Sequence, residues 1–446
     1  MEKTDASSIV DELGDILPIT ARVNSAGHLE IGGCDLAGLA QEFGTPLYAY
    51  DEATLRHNCA RHLKAFSSRY PDVRVLYAGK AYLGLAMLSL LVKEGLGLDV
   101  VSGGELALAQ RAGFPMELVY FHGNNKSAQE LELALKLGVG RIVVDNLHEL
   151  ERLNQTALGL GAKASVLLRL SPNVDPHTHR FITTGLVDSK FGFPLQTGAA
   201  EEAVGQVLAS PGLQLLGFHA HIGSQICELE PYRATMEALL AFAGRVRERF
   251  GFVPAEISPG GGWGIRYTRE EQPPEIEAVA GAIADSLAEG VERLGLPRPR
   301  LVVEPGRAIV ARAGVALYTV GSIKEVPGVR TYVAVDGGMA DNIRPALYDA
   351  RYEVVAANRV QTAPTQTVTV AGKYCESGDI LARDVHLPRL EPGDLLAIPA
   401  AGAYCLPLAS NYNLSLRPAV VMVKGGQARL VRRRECYEDL WRLEAD

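Results

Sequence analysis

The sequence has few cysteines, and those it has are scattered. Cys34, Cys59, Cys227, Cys375, Cys405 and Cys436 form no Cys-x-x-Cys pair. That spacing indicates neither a zinc site nor a disulfide framework, and it suits a reducing, cytoplasmic setting. No uncharged apolar run reaches the roughly 18 residues that a membrane span needs. A basic excess is missing too: 44 Lys and Arg stand against 52 Asp and Glu, a net charge of −8. Such a chain offers no broad basic surface to nucleic acid. Internal repeats and low-complexity tracts are lacking, and the composition rules out a mostly disordered chain, a fibre and a coiled coil. Aromatic residues are sparse at 7%, yet apolar residues reach 47% and charged ones 22%, as in ordinary globular proteins. The acidic start, MEKTDASSIVDELGDILPIT, is expected to be neither a signal peptide nor a transit peptide.

What is present is length and glycine. The 446 residues suffice for two or three domains, taking about 150 residues per domain. The 46 glycines and 24 prolines imply many turns and sites built from backbone. From about residue 51 to 310, short β-branched runs alternate with Ala/Leu/Glu-rich helical runs. The strands read as VRVLYA (73–78), LDVV (98–101), LVYFH (118–122), RIVVD (141–145), ASVLLRL (164–170), LQLLGFH (213–219), AEIS (255–258) and RLVVE (300–304). Such continuous apolar runs suit strands buried on both faces. Eight β–α units in about 260 residues predict a TIM barrel, with a doubly wound open sheet as the competitor. After about residue 313 the pattern turns to short alternating strands between Gly/Pro turns, which predicts an antiparallel β domain. GHLEIGG (27–33) is strand-like and is expected to join it. The expected divisions are an N-terminal segment 1–45 partly packed on the β domain, a barrel 46–312, and the β domain 313–446. The RRRE run (432–435) reads as a solvated strand end after a GG turn.

In a barrel, chemistry sits at the C-terminal strand ends. There the sequence places GKAY with Lys80, SGGE with Ser102 and Glu105, and HGNNK with His122. Further on come SPNVDPHTHRFITTG, HAHIGSQ with His221 and Ser224, SPGGGWG with Gly260, Gly261 and Gly262, and EPGR with Glu304, Gly306 and Arg307. Singly, each has a bland reading: a solvated lysine, a flexible turn, a structural histidine. Together they say more. Adjacent glycines let backbone N–H groups converge on an anion, and barrels often bind phosphate after strands seven and eight. A lysine after strand one, opposite such a cradle, suggests a phosphorylated cofactor held by an imine.

These motifs, in this order, resemble those of the fold-type-III pyridoxal-phosphate decarboxylases, the diaminopimelate decarboxylases most of all. The likeness runs from about residue 45 to 440. It includes YAGKAY, DVVSGGE, RLSPNVDPHTHRFITTG, KFGF, HAHIGSQ, GGG and EPGR, then DGGMADNIRPALYDARY, CESGD and AGAYCLPLASNYN. Gly79 replaces a residue that is often larger in that family, and AGAY continues unusually as CLP. The resemblance implies a pyridoxal 5′-phosphate-binding (β/α)8 barrel followed by an antiparallel β-sandwich or barrel-like domain that an N-terminal strand joins.

By the same resemblance, Lys80 carries the cofactor, and a buried, partly desolvated amine would suit that task. His221 lies against the pyridine ring, Glu304 faces its nitrogen, and Gly260, Gly261, Gly262, Ser224 and Gly306 bind the phosphate. Asp99 supports the lysine or ring region, and Tyr404 contributes to the cofactor and substrate sites. Arg307, Arg344, Tyr348 and Glu376 read the substrate. Cys375 and Glu376 enter the neighbouring subunit's site, which implies a homodimer with shared sites. Either Cys375 or Lys80 reprotonates the product carbon. Segment 171–190 has no helix or strand pattern and is expected to act as an active-site lid. The implied reaction is decarboxylation of meso-2,6-diaminopimelate to L-lysine. The alternative is a same-fold decarboxylase of ornithine, lysine, arginine, carboxynorspermidine or a carrier-bound amino acid. Two arginines favour a substrate with a second carboxylate.

Overall fold

The computed structural model describes residues 7–175 and 189–445. The chain forms two compact units: Cys59–Gly264 with Pro273–Gly306, and Met1–Asn58 with Ile265–Gln272 and Arg307–Asp446.

The first unit is a closed parallel barrel. Its strands are β1 (Val73–Ala78), β2 (Gly97–Val100), β3 (Val119–Phe121), β4 (Arg141–Val144), β5 (Ala164–Ser171), β6 (Leu213–Ala220), β7 (Glu256–Gly260) and β8 (Arg300–Val303). Each pairs with the next, and β8 closes onto β1 through Leu301↔Val73. The eight predicted runs are the eight strands, with ends shifted by one or two residues. Closure excludes the open-sheet competitor. Local chemistry starts and stops the helices between them. Ser102, Ser127 and Asn146 cap helix N-termini with side-chain oxygens, and Gly95 and Gly138 end helices in the left-handed region. Inside, Leu76, Tyr120, Val143, Leu167 and Val302 form a buried cluster. At the N-terminal end of the barrel, the Glu256 carboxylate accepts Arg141 Nη2–H at 2.6 Å and Tyr120 O–H at 2.9 Å. That ion pair lies at the end of a barrel that serves stability rather than chemistry.

The second unit centres on one large sheet. Its main path runs Ile380–Leu387, Gln366–Ala371, Arg330–Val335, Gly314–Val326, Leu47–Asp51, Ala419–Lys424, Gln427–Arg432. Leu395–Ile398 and Val355–Ala356 pair alongside. Most pairings are antiparallel, but Arg330–Val335 with Gln366–Ala371, and Leu47–Asp51 with Ala419–Lys424, are parallel. GHLEIGG belongs to the same unit as the β domain, as expected, but the N-terminal strand in this sheet is Leu47–Asp51, buried throughout. Leu29–Ile31 of that segment instead pairs in a separate small sheet with Arg22–Val23 and Cys34–Asp35. No helix among the described residues is long and apolar enough to cross a membrane.

Candidate active site

The polar strand ends meet at one mouth of the barrel. Lys80 stands on a 3-10 turn, Gly79–Ala81, immediately past β1. Contrary to the expectation of a desolvated amine, Lys80 is exposed. The turn carries it beyond the end of the strand, out of the packed barrel interior. Gly79 is explained by close approach: a Cβ there would lie 2.9 Å from the Asp99 carbonyl oxygen of β2. Gly306 packs the same way, its added Cβ meeting Ala78 Cβ at 3.0 Å and Ala81 Cβ at 3.1 Å.

Glu304, directly after β8, is buried. His219 Nε2–H donates to its Oε2 at 3.0 Å, and the Ser258 hydroxyl reaches its Oε1 at 3.3 Å. His122 Nε2 lies 3.5 Å from Oε1 and 3.7 Å from Oδ1 of buried Asp99. Burial opposes the Glu304 carboxylate, but His219 and His122 outweigh it and hold its pKa well below the usual range. Burial raises the Asp99 carboxyl instead, against the pull of His122. Burial also drives His219 down to about 4, so at neutral pH it is an uncharged ring donating one N–H.

His221 is half-buried, and its Nδ1 accepts Gly261 N–H at 3.5 Å. Desolvation, then the charges of Lys80 and Arg169, hold it well below its ordinary pKa. An uncharged imidazole is therefore presented at the mouth. The three glycines are demanded by backbone crowding. An added Cβ would lie 2.8 Å from His221 Nδ1 at Gly260, 2.0 Å from Glu304 O at Gly261, and 2.0 Å from Gly223 O at Gly262. Gly260 and Gly262 also have φ of +77° and +100°. Ser224 is half-buried one residue after Gly223.

HGNNK divides its labour. His122 faces the two carboxylates, whereas buried Lys126 donates to Gly123 O, Val143 O and Glu149 Oε1 at 2.7–2.8 Å and so latches the β3 and β4 loops. Glu105 of SGGE accepts Val101 N–H at 2.6 Å, and burial pushes its carboxyl up to about 7. Of the expected lid 171–190, residues 176–188 lie outside the described residues.

The second unit gathers the remaining candidates. Arg307 and Arg344 are buried around Tyr267. Arg307 Nη1–H donates to the Tyr267 hydroxyl at 2.5 Å, and the two guanidiniums lie 5.6 and 4.6 Å from that ring's centre. Arg307 also stands 4.8 Å from the Tyr404 ring, whose residue adopts φ +63°. A bulky side chain in that region is a costly conformation that a functional site sustains. Arg344 opens the short helix Arg344–Tyr348 and donates to the Tyr352 hydroxyl, while its Nε has no hydrogen-bond partner. No carboxylate lies within ion-pair distance of Arg344 among the described residues. Half-buried Tyr348 closes that helix. Cys405, the C of the unusual CLP, is buried and meets Tyr352 and Asn342. Cys375 and Glu376 are exposed, on a loop where Cys375 N–H donates to Asn413 Oδ1 at 3.0 Å.

Sequence reasoning missed His219, Ser258, Tyr267 and Tyr352. For His219 there was a signal: in HAH, period-two alternation puts His219 on the same strand face as His221. Tyr267 sits outside any motif and carried none, and Tyr352 ends the motif DGGMADNIRPALYDARY, where nothing local marked its role.

Residues 56–311 match the family model of the pyridoxal-dependent decarboxylase, pyridoxal binding domain. A diaminopimelate decarboxylase of Bacillus subtilis is 50% identical over 425 residues, covering 95% of this chain and 97% of that one. The chain belongs to the diaminopimelate decarboxylase family. A Synechocystis member is 47% identical over 452 residues, covering 99% of this chain and 95% of the relative. The crystal structure of the M. jannaschii diaminopimelate decarboxylase in co-complex with L-lysine matches with a TM-score of 0.90. It is 36% identical, with 96% of this chain and 98% of that one covered.

The cofactor of such pyridoxal-dependent decarboxylases is pyridoxal phosphate, and the barrel's own residues suit it. A primary amine, a neutral imidazole, a buried carboxylate hydrogen-bonded by His219 and Ser258 and a crowded glycine run stand at successive ends of one barrel. Any side chain at Gly260 would push the His221 ring aside.

Proposed function

We infer that this chain removes CO2 from meso-2,6-diaminopimelate to give L-lysine. Pyridoxal phosphate, when bound, supplies an aldehyde that captures an amine and a ring that accepts the electron pair left by CO2. Lys80 would hold the aldehyde, His221 would lie against the ring and Glu304 would face its nitrogen. Gly260, Gly261, Gly262, Ser224 and Gly306 would hold the phosphate, with Asp99 supporting the lysine. A carboxylate facing the nitrogen favours the protonated ring, which strengthens the electron sink.

The observation that carries the substrate assignment is Arg344. It is buried and without a carboxylate partner among the described residues, and Nε is unused. A guanidinium is always charged, and burying it costs free energy unless an anion pairs with it. The distal carboxylate of diaminopimelate supplies that anion, with Arg307, Tyr348 and Tyr404 completing its recognition. Glu376 takes the distal ammonium, and Cys375 or Lys80 returns the proton to carbon. Exposed Cys375 and Glu376 support a homodimer in which each subunit completes its partner's site. The six free thiols suit a cytoplasmic enzyme.

A substrate panel scored for CO2 release tests the reading. Lysine and ornithine lack the distal carboxylate and should react roughly 10⁴-fold less efficiently than meso-diaminopimelate. Comparable rates on lysine or ornithine would remove the substrate assignment.

A further inference from the structure

Glu304 is surrounded by more machinery than a carboxylate needs merely to fold. Its Oε2 takes the His219 Nε2–H at 3.0 Å. Its Oε1 takes the Ser258 hydroxyl, which in turn accepts Gly260 N–H at 3.1 Å. The His122 and His219 rings meet edge-on, 4.8 Å between centres. His122 Nε2, facing Glu304 Oε1 and Asp99 Oδ1, is buried without a hydrogen-bond partner, and Asp99 Oδ1 is likewise. Buried polar atoms left unmatched cost free energy, and they persist where another task requires them. Arg169 of β5 and Lys80 after β1 add positive charge to the same cluster.

We propose that His219 and His122 are positioning residues for Glu304. Each keeps a proton on Nε2 and directs it at one carboxylate oxygen, His122 serving Asp99 as well. Glu304 is thereby kept deprotonated and locked in one orientation. The geometry allows this because His122 and Glu304 directly follow β3 and β8 and His219 lies near the end of β6, and closure of a parallel barrel brings these C-terminal ends to one mouth. The inference rests on Glu304 facing the cofactor's ring nitrogen. If it holds, the histidines set how fully that nitrogen is protonated without touching the cofactor.

The test uses the cofactor-loaded protein. Nitrogen-15 spectra of the wild type should show His219 as the Nε2–H tautomer, a measurement that needs no variant. An Nδ1–H tautomer would overturn the proposal. With ring-labelled pyridoxal phosphate, His219→Leu should shift the ring nitrogen toward its deprotonated position, and His219→Gln, which keeps an N–H donor, should largely restore it. His122→Leu should act in the same direction. The expected loss in kcat is about 10- to 100-fold with KM little changed, as for other residues that orient a functional ligand. Glu304→Gln separates the two levels. If it leaves the ring nitrogen unmoved, the reading of Glu304 fails. If it moves the nitrogen but His219→Leu does not, only the positioning role fails.

Discussion

Asp379 accepts the Met339 backbone N–H at 2.6 Å with one carboxylate oxygen. Its other oxygen accepts Tyr374 N–H at 2.8 Å. One buried side chain thus ties the segment that leads to Arg344 to the loop that carries Cys375 and Glu376. Room for it comes from Gly372, where a Cβ would lie 2.1 Å from the carboxylate. Asp379→Ala strands two amides and should cost about 2–4 kcal/mol of stability, whereas Asp379→Asn keeps one acceptor and should cost less. Denaturant titration of the three proteins checks the order, and an alanine variant as stable as wild type would contradict the clamp.

Lys80 should be the residue that carries the cofactor. Borohydride treatment of the loaded wild type should leave a covalent adduct on the Lys80 peptide, and Lys80→Ala should lose it while keeping the fold. Peptide mapping that finds the adduct on another lysine would refute the assignment.

Arg344→Ala should raise KM for diaminopimelate by about 100-fold or more while leaving the bound cofactor's visible absorbance intact. Arg344→Lys should recover little, because an ammonium cannot present the planar fork. Steady-state kinetics on both variants decide it, and an unchanged KM in Arg344→Ala would make the residue merely structural.

If sites are shared across a homodimer, inactive Lys80→Ala and inactive Cys375→Ala subunits should complement each other. Random assortment restores up to about a quarter of wild-type activity, since half of the dimers are mixed and each has one intact site. Assays after verified subunit exchange that show no recovery would place Cys375 in its own subunit's site.

His219 gives a pH signature of known sign. Its folded pKa is lowered to about 4 from an ordinary 6.5. As pH falls below 6.5 the unfolded chain takes the proton and the folded chain does not, so stability is lost between about pH 6.5 and 4. The loss amounts to roughly 3 kcal/mol. His219→Gln keeps the N–H toward Glu304 but cannot titrate, so its stability should fall less over that window. Unfolding midpoints measured from pH 7 to pH 4 check this, and parallel curves would refute it.

Much of this was legible because barrel strands announce themselves. Runs buried on both faces are continuous in sequence, and the chemistry follows each at a fixed place, so Lys80, His221, Glu304 and the glycine run could be located from local patterns. Leu47–Asp51 was harder, because an isolated apolar run does not say which sheet it enters, and its partners Gly314–Val326 and Ala419–Lys424 lie far along the chain. The same limit hid Tyr267 and Tyr352. Their importance arises only when folding brings Arg344 against both rings. The exposure of Lys80 depends on the turn after β1, which GKAY alone does not specify.

The place of Leu47–Asp51 in its sheet has a consequence for biosynthesis. This strand leaves the ribosome early, yet it must lie between two strands that emerge much later, the last beginning at Ala419. At roughly 5–20 residues per second the wait lasts roughly 20 s to more than a minute. The barrel strands have all their partners once Val303 is made, while the edge of Leu47–Asp51 that receives Ala419–Lys424 stays unpaired to the end of that interval. Such an edge invites mispairing with other nascent chains. Synthesis rate and chaperone supply should therefore govern the yield of this second unit more than that of the barrel.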